Sequence, residues 1–88
     1  MPSYDIHFKA SARKELAALS DSIALRVLEK IEALVIEPRP NGCRKLRGAK
    51  DLWRIRMGDY RIVYGVDDRA QEITVFRIRH RREVYDES

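Results

Sequence analysis

The chain is 88 residues long, 44% apolar and 36% charged, with a formal charge of +4 and a single cysteine. That length fits one domain over residues 1–88, whose small core every element must share, and one cysteine excludes an intrachain disulfide framework. The opening MPSYDIHFKAS has no apolar run long enough for a secretory signal and nothing resembles a membrane span, so a cytoplasmic location and no membrane partner are expected.

In chain order, YDIHF (residues 4–8) alternates and predicts a strand. SARKELAAL follows, with Ser11 as the expected N-cap of a short helix and Ala12, Leu16 and Leu19 on one stripe. After the break at SDS, Ile23, Val27, Leu28, Ile31, Leu34 and Val35 recur at the helical period and predict a second helix over residues 23–36. EPRPNG ends it, because proline cannot continue a helix and disfavours helical geometry in the residue before it. LWRIRM and YRIVYGV then alternate on either side of Gly58-Asp59, a two-residue hairpin signal. A looser turn, DDRAQ, leads into a last strand, EITVFRIRH. The expected fold is α+β: an N-terminal strand, a two-helix hairpin and a three-stranded antiparallel meander, forming one antiparallel sheet with helices packed on one face.

Charge is unevenly spread. Residues 1–40 hold six basic and six acidic side chains, whereas residues 41–88 hold twelve basic and eight acidic ones, and arginine outnumbers lysine ten to two in that half. Such asymmetry points to a polyanionic partner, and arginine's planar fork suits phosphate. The hairpin sharpens the inference. Closure at Gly58-Asp59 sets Met57 opposite Tyr60, Arg56 opposite Arg61, Ile55 opposite Ile62 and Arg54 opposite Val63. Alternation then puts Arg54, Arg56 and Arg61 on one face and Trp53, Ile55, Met57, Tyr60, Ile62 and Tyr64 on the other, where the helices dock. In the last strand Arg77, Arg79 and Arg81 share one parity and Phe76, Ile78 and His80 the other. With Phe76 and Ile78 in the core, the arginines join the cationic face. Opposed like charges destabilise a sheet, so these arginines read either as side chains snorkelling to water or as a preassembled anion site.

No glycine-rich phosphate loop, HExxH or cysteine nucleophile is present and the carboxylates are scattered, so neither metal nor cofactor is expected. Cys43 has no nearby cysteine or histidine and makes a poor metal ligand. Metal-free RNA cleavage stays open: arginines aimed at one phosphate stabilise the phosphorane charge, and a tyrosine or histidine can move the proton. Clustered arginines favour ionised tyrosine, which singles out Tyr85, otherwise read as a packing aromatic. His80 is a second-rank candidate.

KLRGAKDLWRIRMGDYRIVYGVDD and ITVFRIRHRREVY together resemble the RelE branch of the RelE/ParE toxin superfamily, along nearly the whole chain. The resemblance implies the toxin of a type II toxin–antitoxin system, a ribosome-dependent endonuclease that cuts messenger RNA in the A site without metal and leaves a 2′,3′-cyclic phosphate. It also implies a RelB-like antitoxin partner, ribosomal RNA and mRNA as ligands, and operator DNA reached only through the antitoxin. By position, Arg61 and Arg81 resemble the phosphate-holding arginines, Arg81 also being a candidate acid. Tyr85 resembles the tyrosine that acts as base or stacking platform, and Arg54 and Arg56 the basic residues beside the RNA. Arg44, Lys45, Arg47, Arg79 and Arg82 are expected to contact RNA or ribosome. Arg79 stands where the family usually has glycine, and Arg54 and Arg56 where it often has lysine. The alternatives are a ParE-like inhibitor of DNA gyrase and an inactive antitoxin-binding homologue.

Overall fold

A computed structural model of the chain describes residues 3–48 and 51–80. The elements are β1 (Asp5–Phe8), α1 (Ala10–Ala17), α2 (Asp21–Ala33), β2 (Arg44–Lys45), β3 (Leu52–Met57), β4 (Tyr60–Asp67) and β5 (Glu72–His80). They build a five-stranded sheet in the order β1-β5-β4-β3-β2. All neighbours are antiparallel except β1 and β5, which run parallel from Asp5↔Glu72 to Phe8↔Val75. The α+β class and the hairpin meander are as expected. The sheet differs from expectation in that parallel pair and in β2, a two-residue strand too short to leave a periodic signal.

Gly58 has φ +61, the positive angle that a type II′ turn needs at its first central residue. The resulting register is the expected one: Met57↔Tyr60, Arg56↔Arg61, Ile55↔Ile62 and Arg54↔Val63. One face of the sheet packs under the helices. Val27, Ile31 and Leu34 meet Ile55, Ile62, Tyr64, Ile73, Val75 and Ile78 in the core, with Trp53 and Tyr60 at its margin. Each large aliphatic side chain withdrawn there contributes about 1.5–3 kcal/mol.

Two local expectations are corrected. The first helix starts at Ala10 with Lys9 as its N-cap, and Ser11 lies inside the first turn without capping it; its hydroxyl is committed to β5 instead. Phe76 does not join the core. Val75 pairs with Tyr64 and Arg77 with Val63, so Phe76 is the extra residue of a β-bulge. The bulge reconciles two incompatible parities in EITVFRIRH: Ile73 and Val75 point to the helices before it, and Ile78 after it. Phe76 lies over Gly65 on the opposite face, its ring 3.1 Å from where a Cβ at that glycine would stand.

Candidate nucleic-acid interface

The register gathers arginines from four strands on the sheet face away from the helices. One row runs Arg56–Arg61–Arg79 across β3, β4 and β5. The next runs Arg44–Arg54–Val63–Arg77 across β2 to β5. Opposed side chains in such rows have Cβ atoms about 4.5–5.5 Å apart. Arg56 is exposed, whereas Arg54, Arg61, Arg77 and Arg79 are half-buried, so their stems cover apolar sheet surface while the heads form the cationic field. Val63, between Arg54 and Arg77 in the register, is only 8% exposed. A concavity of about 230 Å³ opens at the hairpin, lined by Arg56, Gly58, Asp59 and Arg61.

On the β5 side this field is organised by one carboxylate. Strand β1 pairs with β5 only as far as Val75, and beyond it α1 supplies side chains where a strand would supply backbone. Ser11 Oγ donates to the Phe76 carbonyl at 2.9 Å. One turn later, Glu15 Oε1 accepts the Ile78 N–H at 2.7 Å. The i, i+4 spacing sets both on one helix face, and together they protect the edge of β5. Glu15 Oε2 also receives Arg77 Nε and Nη2 at 3.1 and 2.8 Å and lies 3.8 Å from Arg79 Nε. The carboxylate is 24% exposed, sheltered enough for these charge-assisted bonds to hold geometry.

At the other side, the connector between α2 and β2 is pinned from beneath. The hydroxyl of fully buried Tyr64 donates to the Pro38 carbonyl at 2.7 Å. Burial, and then the neighbouring Cys43, push that phenol far above its ordinary pKa, so it stays a donor. Arg39 is held bidentately by Asp68 at 3.2 and 2.9 Å and lies 5.1 Å over the Trp53 ring, a cation–π contact. Tyr4 completes this knot, its hydroxyl donating to Asp68 at 2.8 Å. The bond from Arg39, then that from Tyr4, hold the Asp68 carboxyl below its usual range.

The candidates picked from sequence are thus partly assembled. Arg54, Arg56, Arg61 and Arg79 share the face, and Arg44 joins it through β2. Lys45 pairs with Trp53 in β2, and Arg47 is exposed in the turn after it. Arg77, expected to join the same cluster, is turned to Glu15. His80 sits opposite Tyr60 with the rings edge-on at 5.2 Å, which is a packing contact. Arg81, Arg82 and Tyr85 lie outside the described residues. Sequence reading missed Glu15 and Ser11 as partners of β5; their i, i+4 spacing was visible, but the strand they serve is more than sixty residues away. Among the described residues no group of three or more His, Cys, Asp or Glu could hold a metal ion, and no helix is long and apolar enough to cross a membrane.

Known proteins resemble the chain along nearly its whole length. A family model described as the ParE toxin of the type II toxin–antitoxin system, parDE, matches residues 6–85. Toxin RelG of Mycobacterium tuberculosis is 30% identical over 83 residues, spanning 93% of this chain and 95% of that protein. The isolated RelE toxin of E. coli superposes with a TM-score of 0.79 at 30% identity, covering 97% of this chain and 94% of that one. The archaeal RelE–RelB complex from Pyrococcus horikoshii contains a chain with a TM-score of 0.79 at 31% identity, covering 90% of this chain and 96% of that one.

Proposed function

The chain belongs to the RelE/ParE toxin superfamily of type II toxin–antitoxin systems, and on that premise we propose that it is a ribosome-dependent, metal-free mRNA endonuclease. The observation that carries this reading is the Arg56–Arg61–Arg79 row with Arg54 beside it, on the sheet face opposite the helices. In the reaction the ribose 2′-oxygen attacks the adjacent phosphorus, the 5′-oxygen leaves, and a 2′,3′-cyclic phosphate remains. Arg61 holds the phosphate and, with Arg56 and Arg54, stabilises the charge that grows on the phosphorane. Fixed cations do this without reorganising at the moment of reaction. In the sequence Arg81 comes next after His80 and Tyr85 four residues later; in this reading Arg81 is the second phosphate ligand and acid, and Tyr85 the base or stacking platform. Arg44, Lys45, Arg47, Arg79 and Arg82 contact ribosomal RNA or steer the message.

The biological partner in this reading is a RelB-like antitoxin, as in the RelE–RelB complex of P. horikoshii, with operator DNA reached only through it and the cytoplasm as the site of action. The ParE description of the matching family model favours one other target, DNA gyrase. Purified protein added to ribosomes programmed with a defined message, and in parallel to a supercoiling assay, separates the two. Cleavage within the A-site codon with gyrase unaffected is expected. Blocked supercoiling with an intact message overturns the endonuclease, and inactivity in both assays leaves an antitoxin-binding homologue.

A further inference from the structure

A groove of about 560 Å³ lies at the β2 edge of the sheet. Its walls are Lys30 from α2, Asn41 and Gly42 from the connector, Arg44 from β2, and Arg54 and Arg56 from β3; among the described residues no carboxylate lines it. Arg54 and Arg56 belong to the open face, whereas Lys30 belongs to the helix layer. The groove therefore carries positive charge around the sheet edge from one layer to the other.

Its outer wall is fixed before any ligand arrives. The Tyr64 hydroxyl holds the Pro38 carbonyl, the Cys43 N–H donates to the Pro40 carbonyl at 3.1 Å, and Arg39 is anchored by Asp68 and Trp53. Gly42 has φ +93, and a Cβ there would meet nothing within 4 Å. The mouth is open at that point, and a ligand backbone can approach the connector closely. Lys30, Arg44, Arg54 and Arg56 around a groove with a fixed wall form a preorganised anion site, since the cost of bringing like charges together is already met by the fold.

Arg56 lines both this groove and the smaller concavity at the hairpin that it shares with Arg61. Two anion positions joined by one guanidinium match a polymer with repeating charge. The one aliphatic side chain on its described lining, Ile55, is only 3% exposed, so the groove suits a charged polymer better than an apolar peptide segment. We propose that the groove is a second phosphate subsite for single-stranded RNA, with Lys30 closing it, so that the strand leaves the open face over the β2 edge. This rests on the reading of the protein as an RNA-directed toxin and adds to it a path and a residue.

The test is titration of the ¹⁵N-labelled full chain with a short single-stranded RNA carrying 2′-O-methyl groups, which it cannot cleave. Saturating shifts at the Gly42, Cys43 and Ile55 amides are expected. Lys30→Gln should weaken binding several-fold and flatten the dependence of log K on log salt by about 0.7, and Lys30→Arg should restore both. Shifts confined to the Arg56–Arg61 turn overturn the proposal. So does wild-type affinity and salt slope in Lys30→Gln, or an Asp/Glu-rich peptide that saturates the groove where RNA does not. Ribosomal cleavage by the same samples is scored separately. Groove binding without cleavage keeps the subsite and removes the endonuclease; cleavage without shifts in the groove removes the subsite alone.

Discussion

The two flanks of the arginine face are built on opposite rules. Toward β5, Arg77 and Arg79 converge on one carboxylate, Glu15, which also accepts the Ile78 N–H. Toward β2, Lys30, Arg44, Arg54 and Arg56 surround a groove that no carboxylate lines among the described residues. A guanidinium clamped by a sheltered carboxylate, as Arg77 is by two hydrogen bonds, fixes geometry and has little charge left for a ligand, whereas Arg79 stands 3.8 Å off. Cations gathered around one groove raise the local concentration of anions there. In the proposed reading the same residue type serves structure on one flank and recognition on the other, and neighbouring partners, not residue identity, decide which.

Breaking the recognition side should have the largest effect. Arg61→Ala, and independently Arg81→Ala, are expected to lower single-turnover cleavage about 100-fold or more while the fold is retained; wild-type rates in both would erase the site assignment. On the clamped flank the expected signature is reversed. Glu15→Ala removes the acceptor that serves the Ile78 N–H and the Arg77 guanidinium and should cost about 1–3 kcal/mol, read as a lower denaturant midpoint at constant m. Glu15→Gln, which can still accept from Ile78, should lose less. An unmoved midpoint in Glu15→Ala would show the clamp to be incidental. Tyr64→Phe tests the wall of the groove: about 1 kcal/mol should be lost, with faster hydrogen exchange at the Cys43 amide, and unchanged exchange would free the connector from that anchor.

The smallest effect concerns the knot behind the groove. The Asp68 carboxyl is held below its usual pKa in the folded chain, so its contribution is complete above the unfolded value of about 3.9 and is lost as pH falls through the folded one. Wild type should thus lose a small increment of stability below about pH 4. Asp68→Asn should lack that slope, and an identical pH profile in both proteins would contradict the linkage.

Much of this was legible in the sequence because it depends on period and turn chemistry. The alternation on either side of Gly58-Asp59 fixed the β3–β4 register to the residue, and the apolar stripe running through α2 to its C-cap identified Val27, Ile31 and Leu34 as core. The bulge at Phe76 was written as a change of parity between Val75 and Ile78, but a single-parity reading of the strand hid it. What could not be read were contacts between elements distant in sequence. Glu15 with Ile78, Arg39 with Asp68, and Lys30 with Arg44 are brought together only when the helices dock and the connector folds under Trp53. Each of the charged residues among them is an ordinary solvated charge by local pattern.

The central claim, that the arginine face cleaves RNA by activating the ribose 2′-hydroxyl without metal, is tested most directly by one substitution in the message. Programmed ribosomes carrying either an all-ribose message or one with a single 2′-deoxy nucleotide on the 5′ side of the cut would be treated with the protein in excess chelator. The account requires rapid cleavage of the first, ending in a 2′,3′-cyclic phosphate, and none at that position in the second. Equal cleavage of both messages would contradict it.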